Sequence, residues 1–305
     1  MSAATARLAA FAVVLAGLFG VGLAAGGVFD PDAVGEESGG HGSRAGHGSM
    51  ETSGTDGENE GAHAGMGKMA SDPVRGLAVA EHGLRLVVDD PERGLGVDEE
   101  LRFRVVSEDG TPVRSFDLEH TKRLHLIVVR RDLTQFQHLH PEMAGDGTWS
   151  VPLILRQPGS YRVFADFSHD GEPTTLGSDL RVDGDADLQP LPAPRTETVS
   201  DGGYEVRLGS APATPGAPAE LEFEVSRGGR PVEVQTYLGA GGHLVALREG
   251  DLAFLHVHPE EHGGAAATGE IGFAATFPTA GSYRLFLQFK VGGRVQTAAF
   301  TEEVR

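Results

Sequence analysis

The chain has 305 residues, enough for about two domains of ordinary size. Its formal net charge is −19 at pH 7 and it carries no basic patch, which excludes nucleic-acid binding through phosphate contacts. The absence of cysteine excludes disulfides, thiolate zinc sites, cysteine nucleophiles, iron–sulfur clusters, blue-copper sites and a lipoprotein anchor.

The first predicted element is an uncharged apolar stretch at residues 8–29. Its length is close to the roughly 20 residues that span a bilayer, and it ends in small residues that a signal peptidase could cut. Residues 1–29 are therefore assigned to a transmembrane anchor or a signal segment. Because Arg7 precedes the stretch and acidic residues follow it, the N-terminus should stay inside. The rest is expected outside the cytoplasm, as a single-pass cell-membrane protein, or secreted if cleaved.

A low-complexity tether follows at residues 30–74, rich in Gly, Ser, His and Met. Its apolar content is too low to drive folding, so it is predicted to be disordered. One interpretation is a plain flexible linker. The other is an arm that collects metal ions, because imidazole and thioether groups together suit copper.

Short apolar runs separated by turn residues fill the remainder and predict strands, with no convincing helical period. A proline-rich linker at 185–198 divides this part into 75–184 and 199–305. The runs include LRFRVV (101–106), LHLIVV (124–129), SYRVFADF (160–167), LEFEV (221–225), GHLVAL (242–247), FLHVH (254–258) and YRLFLQF (283–289).

The two halves are copies of one domain. LHLIVVRRDLTQFQHLHPE (124–142) aligns without a gap with GHLVALREGDLAFLHVHPE (242–260), and PGSYRVFADF aligns with AGSYRLFLQF. A copy of about 105 residues with roughly seven strands suits an immunoglobulin-like sandwich, and Tyr161 and Tyr283 lie where a tyrosine corner would. The fold class is therefore all-β, with two tandem immunoglobulin-like β-sandwich domains.

A predicted hairpin places the second copy's histidines on one face. Gly250-Asp251 is a two-residue turn signal, and with that turn His243 lies opposite His258. His256 lies one step along on the same face, because side chains alternate with period two.

The same register in the first copy puts His125 opposite His140, with His138 beside them. That face also carries apolar residues such as Ile127 and Val129, so we expect the histidines at one end of the sandwich core. Clustered imidazoles without an ion would leave buried nitrogens needing partners. The alternative is a structural imidazole network that closes the end of the sandwich.

The first copy has further candidate ligands. His120 and Asp166 correspond to Leu238 and Gln288 in the second copy, so the first copy is predicted to hold the better site. The candidate metal ligands are His125, His138, His140, His120 and Asp166 in the first copy, and His243, His256 and His258 in the second.

The motifs LHLIVV, FQHLHP and GSYRVFADF resemble those of a group of bacterial, actinobacterial-type exported proteins. Members of that group often have two such halves behind a membrane segment and a His-rich tether, and some are labelled heavy-metal-binding. The resemblance implies an extracytoplasmic β-sandwich that handles metal. The chain also looks similar in function to periplasmic copper-binding sandwich proteins, as a looser analogy.

Three functions are compatible with these residues. The first is non-enzymatic metal handling, with copper as the favoured ion and zinc or nickel as alternatives. The second is a cupin-like metalloenzyme, but the glutamate that a cupin motif needs is missing, because His262 and Gly263 occupy its place. The third is an exported interaction or adhesion module in which the histidines are structural. The sequence does not identify a protein partner.

Overall fold

A computed structural model describes residues 74–210, 212–255, 257–259 and 269–305. The predicted N-terminal anchor or signal segment and nearly all of the tether lie outside these residues. All regular structure in the described part is β. None of the described residues forms a helix long and apolar enough to cross a membrane.

The first repeat is a sandwich of two sheets. Its strands are β1 (Ala80–Glu81), β2 (Leu84–Val88), β3 (Glu92–Arg93), β4 (Asp98–Ser107), β5 (His125–Arg130), β6 (Gln137–Leu139), β7 (Glu142–Met143), β8 (Trp149–Ile154), β9 (Gly159–His169) and β10 (Glu172–Val182). The two sheets have the strand orders β1-β2-β4-β8-β7 and β3-β10-β9-β5-β6.

The second repeat has the same layout. Its strands are β11 (Glu197–Val199), β12 (Glu205–Ser210), β13 (Pro218–Arg227), β14 (Arg230–Pro231), β15 (Gly242–Arg248), β16 (Phe254–Leu255), β17 (His258–Pro259), β18 (Glu270–Thr276), β19 (Gly281–Val291) and β20 (Arg294–Val304). Their sheet orders are β11-β12-β13-β18-β17 and β16-β15-β19-β20.

This strand order is immunoglobulin-like. In the first repeat, β2, β4, β8 and β7 match strands A, B, E and D, while β6, β5, β9 and β10 match C′, C, F and G. The predicted tyrosine corners are also confirmed. The hydroxyl of Tyr161 donates to the carbonyl of Gln157 at 2.7 Å, and that of Tyr283 donates to Thr279 at 3.0 Å.

The predicted register is confirmed for the paired residues of both hairpins, but the predicted turn and the predicted pairing of His243 with His258 are wrong. Leu247 pairs with Phe254, which is the expected register, yet β15 ends at Arg248 and β16 begins only at Phe254. The connection is longer than two residues because the amide of Leu252 donates back to the carbonyl of Arg248 at 3.0 Å. The ladder stops at Leu255, and His258 pairs with Ala274 in the other sheet rather than with His243.

A third apolar core lies between the two repeats. It is built from equivalent positions of both, Ile127 and Val245, Val129 and Leu247, Phe164 and Phe286, and the partly buried Phe136 and Phe254, together with Leu133 and Leu252. Phe136 stacks on Phe286 with ring centroids 4.1 Å apart, and the equivalent pair, Phe254 and Phe164, lies at 5.5 Å.

This core corrects the expected position of the apolar stripe. We expected the face with Ile127 and Val129 to fill the first sandwich, but that interior is filled by the opposite face, including Leu126 and Val128. Every residue of β5 is buried, because one face covers its own core and the other covers the second repeat. A strand covered on both faces is apolar throughout, so its pattern does not say which face points inward.

The segment that leads into the first repeat, which includes Arg75 and Gly76, is hydrogen-bonded at the same junction. The amide of Phe254 donates to the carbonyl of Arg75 at 3.0 Å, and the amide of Gly76 donates to Thr175 at 3.1 Å. Gly76 has φ of +74°, and a Cβ there would lie 2.7 Å from the ring of Phe164 and 2.9 Å from Phe254. Only glycine fits, so this backbone packs tightly against both repeats.

The linker is fixed at its start. The guanidinium of Arg130 pairs with Asp132 at 2.6 Å and donates to the carbonyl of Asp187 at 3.1 Å. Asp132 also accepts from the amide of Gln189 at 2.9 Å, and Leu191 packs against the inter-repeat core. The proline-rich segment therefore follows the surface that joins the repeats.

Candidate metal centre

A cluster of histidines lies at the end of the inter-repeat core, near the approximate two-fold axis that relates the repeats. His125 and His243 are equivalent residues, and their rings stack on each other with centroids 5.2 Å apart. Thr121 and Gly239 are also equivalent and adjacent, because a Cβ on Gly239 would lie 3.7 Å from the Thr121 methyl group. Residues that contact their own equivalents in the other repeat lie near this approximate two-fold axis.

Three imidazoles from both repeats converge there. His125 on β5, His138 on β6 and His243 on β15 each bring one ring nitrogen to a place where all three lie within 4.8 Å of one another. The predicted clustering of the first repeat's rings is confirmed, since His140 lies 4.7 Å from His138 and 5.1 Å from His125, centroid to centroid. That His243 joins this group was not foreseen.

Hydrogen bonds fix the tautomers of two of these rings. His125 Nε2 donates to the carbonyl of Glu119 at 3.2 Å, which leaves the lone pair on Nδ1. His138 Nδ1 donates to the side-chain oxygen of Gln288 at 2.7 Å, which leaves the lone pair on Nε2. These two lone-pair nitrogens, His125 Nδ1 and His138 Nε2, face each other at 2.9 Å. This is hydrogen-bonding distance, so a proton or a metal cation between the two nitrogens would join the rings.

Two further histidines lie at the edge of the cluster. His140 Nε2 is buried and has no hydrogen-bond partner among the residues that the structure describes. His120 sits in a turn with φ of +46°, and its ring lies 5.7 Å from that of His243 and 6.2 Å from that of His125. A positive φ is unfavourable for histidine, so the fold holds this ring in place at some cost in backbone energy.

The carboxylate of Asp166 lies beside the cluster and is engaged elsewhere. Asp166 is the cross-strand neighbour of His125, and its Oδ1 accepts from the hydroxyl of Thr175 at 2.6 Å. Burial raises the pKa of Asp166, while the hydrogen bond from Thr175 and the nearby His125 act in the opposite direction. The structure thus places this predicted ligand next to the imidazoles and gives it a partner of its own.

Sequence reasoning missed Gln288. It replaces Asp166 in the second repeat, and it was interpreted as the loss of a ligand. It instead contacts His138 of the first repeat. The available signal was its pairing with His243 across β15 and β19, which puts both side chains on one face. His256 and the side chain of His258 lie outside the described residues.

The cluster favours neutral imidazoles. Burial lowers the pKa of His138 and of His243 well below the ordinary value, and the neighbouring rings lower both further. Burial, His125 and Lys122 lower the pKa of His140 to about 4. Neutral rings are the form that binds metal, since protonation occupies the lone pair.

We expect the metal-free chain to lose stability as the pH falls from about 6.5, the ordinary histidine pKa. Above that pH, His138, His140 and His243 are neutral in both the folded and the unfolded chain. Below it the unfolded chain takes up protons that the folded chain refuses, so the free energy of unfolding falls until each folded-state pKa is passed, at about 4 for His140.

Urea unfolding in the presence of a chelator at about pH 7.5 and about pH 5 measures this decline. The matched control is the double variant His138→Gln with His243→Gln, which lacks two of the three groups and should decline less. An equal decline in both proteins would assign the pH dependence to other residues.

Comparison with known proteins identifies the repeated domain. The family model of a domain of unknown function, DUF8832, matches residues 80–184 and residues 197–305. The chain belongs to the DUF8832 family. The predicted two-repeat organisation is confirmed, and the histidine cluster lies where the two DUF8832 domains meet. No curated protein matches the sequence.

Solved structures similar to this chain include a chimeric titin Z1Z2 tandem, which is 17% identical, with 72% of this chain and 95% of that chain covered at a TM-score of 0.19. The Escherichia coli adhesin FdeC is 14% identical, with 75% and 66% covered at 0.24. Invasin, a bacterial integrin-binding protein, is 13% identical, with 72% and 39% covered at 0.20. Similarity at this level indicates neither a shared function nor a shared partner for the DUF8832 domains.

Proposed function

We propose that the protein binds a transition-metal ion, without catalysis, at the junction of its two DUF8832 domains. The observation that supports this is the pair of lone-pair nitrogens on His125 and His138, 2.9 Å apart, with a His243 nitrogen beside them. Three imidazole nitrogens this close together can bind one ion. The other ring nitrogens of His125 and His138 donate to oxygens, which is the usual arrangement for metal-bound histidine.

Copper is the favoured ion, with zinc and nickel as alternatives. The convergent donors are imidazole nitrogens, which suit Cu(II), Zn(II) and Ni(II). Calcium and magnesium prefer several oxygen ligands, whereas the convergent atoms here are nitrogens.

The site would operate outside the cytoplasm, with the chain anchored through residues 1–29 or secreted after cleavage. The acidic surface, with net charge −19, attracts cations weakly. The His- and Met-containing tether would collect ions and pass them to the site at the domain junction.

Calorimetric titration of the chain with Cu(II), and in parallel with Zn(II), tests this function. In the matched variant, His125, His138 and His243 are all replaced by alanine and every tether histidine is kept. Metal binding by the tether is therefore the same in both proteins. We expect the variant to lose one tightly bound equivalent of metal. Equal binding stoichiometry and affinity in the two proteins would contradict the proposal.

The second candidate is an exported interaction module with structural histidines. The bonds from His125 to Glu119 and from His138 to Gln288 favour it, because they would also suit a metal-free network with a proton shared between the rings. A ligand that binds only the folded chain raises its melting temperature. If Cu(II) and Zn(II) leave that temperature unchanged, this function replaces metal binding.

A further inference from the structure

We propose that Gln288 is a positioning residue that sets the tautomer of His138 across the repeat junction. The second repeat would thereby decide which nitrogen of a first-repeat imidazole faces the ion. This inference deepens the proposed metal binding and rests on it, but its central feature can be measured in the metal-free protein.

The geometry at His138 carries the inference. Gln288 lies on β19, is 7% exposed, and its Oε1 is 2.7 Å from His138 Nδ1. A carboxamide oxygen only accepts, so Nδ1 holds the hydrogen and Nε2 keeps the lone pair that would bind the ion. Without this acceptor, the hydrogen can move to Nε2 and be donated to His125 Nδ1, which would close the site.

The carboxamide of Gln288 is itself oriented. Its Nε2 donates to the hydroxyl oxygen of Thr297 at 3.5 Å, and Thr297 lies directly opposite on β20. The nitrogen therefore points towards Thr297 and the oxygen towards His138. The equivalent pair in the first repeat is Asp166 and Thr175, also in contact, so both repeats place an acceptor and a hydroxyl here.

His125 and His138 carry their hydrogens on opposite ring nitrogens. This difference distinguishes a positioning role of Gln288 from a role in packing alone. His125 would bind through Nδ1, because the Glu119 carbonyl holds its Nε2 hydrogen. His138 would bind through Nε2, because Gln288 holds its Nδ1 hydrogen. Changing Gln288 should therefore alter one ring and leave the other unchanged.

Three variants of the chain test the inference. Gln288→Met keeps the size of the side chain but removes the acceptor, and Gln288→Glu keeps an acceptor. Gln296→Met is the matched control, because Gln296 is also a buried glutamine, 7% exposed, on the adjacent strand. Nitrogen-15 NMR of the metal-free chain assigns the hydrogen to Nδ1 or Nε2 of each ring, and calorimetry with Zn(II) gives the affinity.

We expect His138 to carry its hydrogen on Nδ1 in the wild type, in Gln288→Glu and in Gln296→Met, and to gain the Nε2 form in Gln288→Met. The affinity for Zn(II) should fall about 10–100-fold in Gln288→Met, as for other changes around metal-bound histidines, and should persist in Gln288→Glu. His138 remaining in the Nδ1–H form in Gln288→Met, with unchanged affinity, would overturn the inference.

The two readouts separate this inference from the proposed function. If the wild type binds no Zn(II) or Cu(II), metal binding fails, while the tautomer of His138 still shows whether Gln288 positions it. If the wild type binds metal and Gln288→Met behaves as wild type in both readouts, the inference alone fails.

Discussion

Replacing His243 with alanine is expected to weaken Cu(II) binding at least about a hundredfold, beyond the 10–100-fold typical of residues that only support a ligand. The loss should match that of His125→Ala, although His243 lies in the other repeat. The reason is that one nitrogen of His243 converges with those of His125 and His138. Competitive titration against a chelator of known affinity measures it.

The matched control is His169→Ala. His169 is a first-repeat histidine that bonds to the carbonyl of Ser115 at 2.9 Å and takes no part in the cluster. Its replacement should leave Cu(II) affinity unchanged. If His243→Ala binds as tightly as His169→Ala, the ion does not use the second repeat, and a site within the first repeat becomes the better account.

Replacing Phe286 with alanine should cost about 3–5 kcal/mol of stability, the range for a buried phenylalanine. Phe286 is 4% exposed and stacks on Phe136 of the other repeat, so the cavity opens between the repeats. Gln288 lies two residues further along the same face of β19, so metal affinity should fall as well. Calorimetric unfolding and Cu(II) titration measure the two effects.

Phe223→Ala is the comparison for this prediction. Phe223 is fully buried in the second repeat's own core, away from the junction. It should cost a similar amount of stability but leave metal affinity unchanged under conditions where the chain stays folded. Phe136→Ala should cost less stability than either of these variants, because Phe136 is only partly buried. Equal affinity in Phe286→Ala and Phe223→Ala would disconnect the junction from the metal site.

Much of the fold could be predicted because its signals are local. Turns containing Gly and Asp separate short apolar runs, and the gapless alignment of two histidine-containing segments revealed the repeat. The register followed from the hairpins, and it predicts that His125, His138 and His140 lie together, as they do in the structure. These features depend on residues close in sequence.

The inter-repeat features could not be predicted in the same way. LHLIVV is apolar at every position except His125. Alternation therefore does not distinguish the face that fills a sandwich from the face that contacts another domain. His243 was assigned to a separate site because its partners in the first repeat are distant in sequence. Gln288 was interpreted as the loss of a ligand, since its contact with His138 exists only when the repeats pack together.

The meeting of equivalent residues at the junction bears on how such a protein could arise. A surface whose positions contact their own counterparts is the surface of a symmetric homodimer. A single ancestral domain bearing His125 and Phe136 would present both halves of the site once two separate chains associated. Duplication and fusion through a short linker would then keep the halves together at high effective concentration. Each copy would thereafter be free to change, and the difference between Asp166 and Gln288 would be one such divergence.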